Sequence, residues 1–293
     1  MFPLATPFVE GAFADDTEEN PRAVWGRFQT PKRGAPQAVG GYSNGCLLGA
    51  ARLPAEGPGY QAVELQRNRR YGHPEAVRYV RELGERVESE GLGRMMIGDI
   101  SQPRGGPAWR HGSHQTGLDV DIWLRLDQPE LTRRARRNMD HPSVVTDGTP
   151  REVDPELWSD AQAELVHLAA SDSQVSRIFL DAAIKRDLCD REWEDRSWLR
   201  KIRHWRHHDD HMHVRLSCPE GSRRCADQTP PPPGDGCAEL EAILNPPPPS
   251  SDPPRPRRRV RRSYRPPMPD QCIALLEEEA ARLAAREREE ETN

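Results

Sequence analysis

The histidines and aspartates between residues 111 and 123 are the part of this sequence best suited to chemistry. The stretch reads His-Gly-Ser-His-Gln-Thr-Gly-Leu-Asp-Val-Asp-Ile-Trp, and apolar residues alternate with polar ones from residue 118 to residue 124. An alternation of period two predicts a β-strand that turns its apolar side chains to one face. Asp119 and Asp121 then share the opposite face, with two histidines just upstream. Such a cluster suits a cation.

A second histidine-rich segment, residues 207–216, reads His-His-Asp-Asp-His-Met-His-Val-Arg-Leu. Its last six residues alternate in the same way and predict a strand with His211 and His213 on one face. Catalytic zinc sites take three protein ligands from histidine and carboxylate side chains and leave a further position for water. We therefore predict a zinc site formed by His114, Asp121 and His213, with His211 beside the metal.

These motifs resemble those of the penicillin-insensitive murein endopeptidases, which belong with lysostaphin, D-Ala-D-Ala peptidases and hedgehog-like proteins in one group of zinc proteins. The likeness is carried by His-x6-Asp, by a later His-x-His, and by the strings Ser-His-Gln-Thr-Gly-Leu-Asp-Val-Asp-Ile and His-Met-His-Val-Arg-Leu. Tyr-Ser-Asn-Gly-Cys at 42–46 and Gly-Asp-Gly-Cys at 234–237 match as well, so the resemblance covers residues 35 to 240, with a weaker echo around Cys272. It implies a β-lactam-insensitive endopeptidase that hydrolyses the D-alanyl to meso-diaminopimelyl bond of peptidoglycan cross-link peptides.

The resemblance also implies roles for individual residues. His211 would transfer a proton or stabilise the oxyanion, with His208 assisting, and His111 and Asp147 would be additional metal contacts. The family's further histidine, three residues after that aspartate, is replaced here by Pro150, which argues against a second metal. Two simpler interpretations stay open: Asp147 as an Asp-Gly turn residue, and His208 as a solvated member of a charged run.

The sequence contains six cysteines without any Cys-x-x-Cys pair. An oxidising compartment would pair such a set, with fifteen connectivities possible, whereas a reducing one would leave buried thiols. We favour pairing, and the resemblance implies bridges of Cys46 with Cys272, Cys189 with Cys237, and Cys218 with Cys225. A periplasmic location is expected, although residues 1–10 lack the features of an export signal, so the sequence starts after such a signal or at a chosen point.

Composition limits the other classes of protein. The chain has 293 residues, a formal net charge of -5 and 29 prolines, so it has no overall attraction to nucleic acid, and part of it is expected to lie outside a packed core. No segment approaches the ~20 apolar residues of a membrane-spanning helix. The arginine-rich residues 254–265 could bind phosphates, but we prefer a solvated linker, which could contact anionic envelope polymers or fold onto the glutamates of the last helix.

Periodicity predicts an α+β fold with a small, mostly antiparallel sheet, flanking helices and one catalytic domain. We expect a mobile arm over residues 1–34, the zinc endopeptidase domain over 35–244, a Pro/Arg-rich linker over 245–269 and a helix over 270–293, with the stripe Ile273, Leu276, Ala280 and Leu283. Within the domain, the sequence predicts strands at 95–100, 118–124, 175–180 and 211–216, and helices at 74–90, 155–170 with Leu157 inward, 182–188 and 193–203.

Three rival functions use the same residues. A D-Ala-D-Ala dipeptidase or carboxypeptidase could employ an identical zinc site, and product masses would separate it from an endopeptidase. A hedgehog-like zinc-binding module could keep the ligands without turnover, although the presence of both His208 and His211 disfavours this. A metal nuclease would use the basic tail to hold nucleic acid, but the sequence has no groove-reading motif.

Overall fold

The computed structural model describes residues 20–126, 129–148, 151–244 and 267–292. Within these ranges the helices are α1 (Pro21–Gly26), α2 (Pro74–Ser89), α3 (Asp160–Ser171), α4 (Ala182–Asp190), α5 (Glu239–Leu244) and α6 (Asp270–Thr292). The strands are β1 (Gln37–Gly41), β2 (Asn44–Leu48), β3 (Ala51–Arg52), β4 (Glu56–Gly57), β5 (Tyr60–Ala62), β6 (Tyr71–Gly72), β7 (Met95–Ile97), β8 (Asp119–Trp123), β9 (Val175–Leu180), β10 (Ile202–His204) and β11 (His211–Leu216).

A seven-stranded sheet in the order β10-β9-β11-β8-β7-β5-β4 forms the centre of the fold. β9 and β11, β11 and β8, β8 and β7, and β4 and β5 pair antiparallel, whereas β10 with β9 and β5 with β7 pair parallel. β1 with β2 and β3 with β6 form separate two-stranded sheets. The predicted α+β class with a mostly antiparallel sheet is confirmed.

The apolar face of β8 lies in the same core as the helices. Val120 and Ile122 are fully buried in one cluster with Val80 and Leu83 of α2 and Leu165 of α3. α2 begins where the His73 side chain accepts a hydrogen bond from the Glu75 amide and Pro74 occupies the first turn. Because the apolar side chains of β8 face this core, its polar residues are left on the other face.

The predicted strands at 118–124, 175–180 and 211–216 and the helix from residue 74 are confirmed, with small differences at the ends. The strand predicted at 95–100 ends at Ile97: beyond it the pairing with β8 becomes irregular, since the Asp121 amide donates to the Asp99 carbonyl and the Ile100 amide donates to the Arg69 carbonyl. The helix predicted at 182–188 continues to Asp190.

Two helix predictions are wrong in their extent. α3 starts at Asp160 because Ser159 and Gln162 form a capping box there, so Leu157 precedes the helix and is 37% exposed. Residues 193–203 contain only a 3-10 turn, Ser197–Lys201, followed by β10, which pairs with β9. Pairing with a neighbouring strand outweighs the local helical pattern here.

The predicted mobile arm is wrong for residues 20–34. Asn20 caps α1, and the side chains of Trp25 and Phe28 are buried against Val39 and the Cys46–Cys272 bridge. Burial of these two aromatic rings fixes the segment to the domain. Residues 1–19 of the predicted arm lie outside the described residues.

All three disulfides implied by the family resemblance are confirmed: Cys46–Cys272, which joins distant parts of the chain, Cys189–Cys237 and Cys218–Cys225. The bridge at Cys272 orients α6, so that Leu275 is buried beside it while Ile273 is 40% exposed. The predicted stripe is therefore wrong at Ile273, whereas Leu276 packs against the same cluster as Leu275; the side chains of Ala280 and Leu283 are outside the described part. The predicted C-terminal helix is confirmed as α6. The predicted linker falls mostly on residues 245–266, which are outside the described part.

No helix among the described residues combines the length and the apolar character needed to cross a bilayer.

The first prediction concerns the bridge that holds α6. Replacing Cys46 and Cys272 together by alanine should lower the free energy of unfolding by about 3 kcal/mol more than the matched pair Cys218→Ala and Cys225→Ala. The reason is that the two bridges span 226 and 7 residues, and a longer closed loop restricts the unfolded chain more. Denaturant titration of the oxidised proteins measures both values. Equal losses would show that the bridges act through local packing instead.

Candidate metal centre

The loop before β8 places His114 through an unusual backbone conformation. His114 has a φ of 63°, a left-handed value that costs energy in a residue with a side chain. Its amide donates to Asp119 Oδ2 at 2.8 Å and its Nδ1 lies 2.7 Å from the Ile100 carbonyl. Gly117 then lets the chain enter β8, since a Cβ there would lie 2.4 Å from Leu47 Cδ2 and 2.9 Å from His73 N. The strained turn is thus held by specific contacts.

The Asp121 carboxylate lies at the centre of four imidazoles. Its Oδ1 is 3.2 Å from Nε2 of His114, 3.5 Å from Nδ1 of His213 and 3.8 Å from Nε2 of His211. Its Oδ2 is 3.9 Å from Nδ1 of His111. His213 comes this close because Asp121 and His213 are direct partners in the pairing of β8 with β11.

The donor atoms fit a divalent cation. One ligand atom each from His111, His114 and Asp121 lies within 4.8 Å of the others. Nε2 of His114 and Oδ1 of Asp121 are buried, and within the described residues neither has a hydrogen-bond partner. Buried polar atoms are almost always satisfied, so two such atoms facing each other indicate a site for a positive ion.

Two of these imidazoles are hydrogen-bonded at their other nitrogen, and the third, that of His213, lies close to a carboxylate at its other nitrogen. Nδ1 of His114 donates to the Ile100 carbonyl, Nε2 of His213 lies 3.0 Å from Asp119 Oδ1, and Nε2 of His111 lies 2.7 Å from Asp99 Oδ2. Because a carbonyl oxygen and an ionised carboxylate only accept, His114 carries a proton on Nδ1 and His111 one on Nε2, so a cation in the pocket would meet the nitrogen that faces Asp121. Histidine ligands of metals are usually oriented in this way.

The charges of the pocket also favour a cation. Burial raises the pKa of Asp121, but His114 and His211 more than reverse this and keep the pKa well below its usual value. Burial lowers the pKa of His114, yet Asp121 and Asp119 outweigh it and raise the pKa to about 9. Burial lowers the pKa of His213 to about 4 against the opposing effect of Asp119. The ionised Asp121 carboxylate therefore faces the neutral imidazole of His213, which has a lone pair available to bind a cation.

The other predicted site residues, His208, His211 and Asp147, are not in the group of donor atoms formed by His111, His114 and Asp121. His211 and His208 lie next to each other, with ring centroids 4.8 Å apart, and the His208 ring is 5.7 Å from that of His213. Nδ1 of His208 is 2.9 Å from the Arg206 carbonyl. Asp147 is exposed in a turn, and the cluster of ligand atoms does not include it, so its predicted metal contact stays a prediction.

Two contributors to the centre were not recognised in the sequence. Asp99 is buried between His111 and the guanidinium of Arg69, which donates to its Oδ2 at 2.8 Å. Arg215 donates from Nε to Asp119 Oδ1 at 2.7 Å and stacks over the Tyr42 ring at 4.2 Å. A carboxylate between Gly98 and Ile100, at the end of an apolar run, was a usable signal for Asp99, because acidic residues are rarely buried without a partner.

Comparison with known proteins identifies relatives along most of the chain. The family model described as penicillin-insensitive murein endopeptidase matches residues 38–277. A protein of that name from Klebsiella pneumoniae is 46% identical over 260 residues, which is 87% of this chain and 91% of the relative. The proteins of that name from Yersinia enterocolitica and Salmonella newport are 42% and 43% identical and cover 86% and 87% of this chain and 90% and 91% of the relatives.

The second prediction tests the support given by Asp119. Asp119→Asn should weaken zinc binding about 10-fold to 100-fold, because the amide can no longer hold His213 and the His114 amide as the carboxylate does. Competition with a chromophoric zinc chelator measures the affinity, and circular dichroism checks the fold. Asp187→Asn is the matched control, since Asp187 pairs with Trp158 and Arg191 and not with an imidazole. Unchanged affinity in Asp119→Asn would contradict the support of His213.

Proposed function

We propose that this chain is a zinc endopeptidase of peptidoglycan. The premise is its family: the chain belongs to the penicillin-insensitive murein endopeptidases. Its substrate would be the cross-link peptide, cut at the amide between D-alanine and meso-diaminopimelate. The observation that carries the proposal is the convergence of His114 Nε2 and His213 Nδ1 on the buried, unpartnered Oδ1 of Asp121.

His114, Asp121 and His213 would hold the zinc ion, which fits the preference of catalytic zinc for histidine and carboxylate ligands. The grouped donor atoms are those of His111, His114 and Asp121, which supports His111 as a metal contact; His213 is not in that group and is proposed because its Nδ1 lies 3.5 Å from Asp121 Oδ1. Asp147 is kept as a further proposed contact, without support from the geometry described above. A zinc ion bound there would polarise the scissile carbonyl and make the attacking water more acidic.

His211 is the proposed general acid and base. Its Nε2 is 3.8 Å from Asp121 Oδ1, and its Nδ1 is hydrogen-bonded to Asp210, so Nε2 has the lone pair that can take a proton. It would accept the proton of the attacking water and pass it to the leaving amine as the carbon–nitrogen bond breaks. His208, beside His211 and with its Nδ1 on a backbone carbonyl, would orient the substrate or assist this transfer.

The proposed chemistry needs no serine nucleophile. β-Lactams inhibit peptidases by acylating such a serine, so insensitivity to them is part of the proposal. The three disulfides support an oxidising compartment, and we propose the periplasm. Contact of the arginine-rich tail with anionic envelope polymers stays a prediction, since residues 254–265 are outside the described part.

The third prediction tests the role of His211. The zinc-loaded protein should convert cross-linked muropeptide dimers to monomers, and His211→Ala should keep the zinc while turnover falls about 100-fold or more, as expected for loss of a general base. Chromatography with mass spectrometry measures the products, and metal analysis measures the zinc. Release of D-alanine from uncross-linked peptides, with dimers left intact, would indicate a carboxypeptidase. Dimers that persist with the fully loaded protein would contradict the endopeptidase proposal.

The fourth prediction separates metal chemistry from serine chemistry. A chelator should abolish dimer cleavage and added zinc should restore it, whereas excess benzylpenicillin should leave the rate unchanged. A serine-dependent D,D-endopeptidase assayed in parallel provides the control, because it should show the opposite responses. Inhibition of this protein by benzylpenicillin would mean that a nucleophilic side chain carries the reaction.

A further inference from the structure

Asp210 connects His211 to a second imidazole outside the proposed zinc site. Its Oδ1 is hydrogen-bonded to Nδ1 of His211, and its Oδ2 lies 2.6 Å from Nδ1 of His141. Asp210 and His211 are only about one-fifth exposed, at 21% and 20%. Asp210 thus uses one carboxylate oxygen for each of two imidazoles. Binding of zinc by the proposed ligands does not require this arrangement.

The backbone fixes both ends of this arrangement. The Asp210 carbonyl accepts from the Leu124 amide at 3.0 Å, which ties Asp210 to the chain just after β8. The loop that carries His141 is tied to the residue before Asp210, because the Val144 amide donates to the Asp209 carbonyl at 2.7 Å and Ser143 Oγ donates to Asp209 Oδ2 at 2.8 Å. His141 is therefore brought to Asp210 by hydrogen bonds that do not involve either side chain.

Trp123 restrains the His141 ring. The two ring centroids are 4.3 Å apart, and Trp123 is the direct partner of His211 in the pairing of β8 with β11. The His141 ring can thus lie over Trp123 while its Nδ1 reaches Asp210. His211, Asp210 and His141 form one hydrogen-bonded chain, which runs alongside β8 and away from Asp121.

This row of hydrogen-bonded side chains controls which nitrogen of His211 carries the proton. A carboxylate accepts hydrogen bonds and donates none, so Asp210 selects the form of His211 that is protonated on Nδ1. The lone pair is then on Nε2, the nitrogen nearer to Asp121. Without Asp210 the ring could rotate or move its proton to Nε2, and it would then be unable to accept a proton at the site.

We infer that Asp210 is a positioning residue for the reaction: held in turn by His141, it fixes the orientation and the tautomer of His211. The inference rests on the proposed function, in which His211 accepts the proton of the attacking water. Asp210 acts through His211 and need not touch the substrate, and His141 acts one step further away. Their effects should therefore appear in turnover and leave zinc and substrate binding in place.

The first test is kinetic and uses the zinc-loaded full chain with muropeptide dimers. Asp210→Ala should lower kcat about 10-fold to 100-fold, with KM within about twofold and the zinc content unchanged. Asp210→Asn should recover part of the loss, because its amide oxygen can still accept from Nδ1 of His211. His141→Ala should cause a smaller loss, and the double variant with Asp210→Ala should be no worse than Asp210→Ala alone, since both act on one imidazole.

Glu164→Ala is the matched control, because Glu164 also pairs with an imidazole, Nδ1 of His167 at 3.0 Å, on α3. It should leave kcat and KM unchanged. A kcat within twofold of the unsubstituted protein in Asp210→Ala would overturn the inference. A loss of kcat that is explained by missing zinc would also overturn the inference. The same holds if the losses of kcat from Asp210→Ala and His141→Ala multiply in the double variant.

The second test does not depend on activity and so separates this inference from the proposed function. In protein labelled with ¹⁵N-histidine and loaded with zinc, the nitrogen shifts of His211 should show the proton on Nδ1. In Asp210→Ala they should show a mixture of both tautomers or a proton on Nε2, with Glu164→Ala unchanged. A His211 protonated on Nδ1 to the same extent in both Asp210→Ala and the unsubstituted protein would overturn the inference even if dimers are cleaved. The expected shifts in a protein that cleaves no dimers would refute the proposed function and leave the positioning of His211 standing.

Discussion

The antiparallel pairing of β8 with β11 is the constraint on which the centre depends. Its register places Asp121 opposite His213 and Asp119 opposite Arg215. A shift of one residue in either strand would turn its polar side chains towards the helices and its apolar ones towards the pocket. The burial of Val120 and Ile122 in the core that also holds residues of α2 and α3 opposes such a shift, so the apolar core on one face fixes the polar geometry on the other.

The two carboxylates of β8, Asp119 and Asp121, are both buried, but their negative charges are compensated in different ways. Asp119 accepts from the Arg215 guanidinium and from the His114 amide, so its charge is compensated by the protein. Asp121 is surrounded by imidazoles alone, and its Oδ1 has no hydrogen-bond partner within the described residues. Burying an ionised carboxylate costs several kcal/mol unless a counter-charge is present. Asp121 therefore depends on the surrounding imidazoles, and on a cation where one is bound, to balance its charge.

The far end of the described chain also supports the histidine loop. The Cys46–Cys272 bridge joins α6 to β2, and the Gly45 amide donates to Gln115 Oε1 at 3.1 Å, next to His114. A side chain at Gly45 would not fit, because a Cβ there would lie 2.8 Å from Thr116 Cγ2 and 2.2 Å from the Val39 carbonyl. β2 thus lies directly against the loop that carries His114. Anchoring α6 to β2 links residues far apart in the sequence to the geometry of the centre.

The sequence by itself determined the residue types of the centre, the two strands that carry them and the face on which Asp119, Asp121 and His213 lie, because alternation is a local property of the chain. It also determined α2, whose cap and apolar spacing are local as well. Only the tertiary structure decided that Asp99 meets His111, that Asp210 meets His141 across 69 residues, and that Trp25 is buried. These contacts join loops or chain ends to the domain, and their partners are chosen by the packing of distant segments. No periodic pattern in the sequence records that choice.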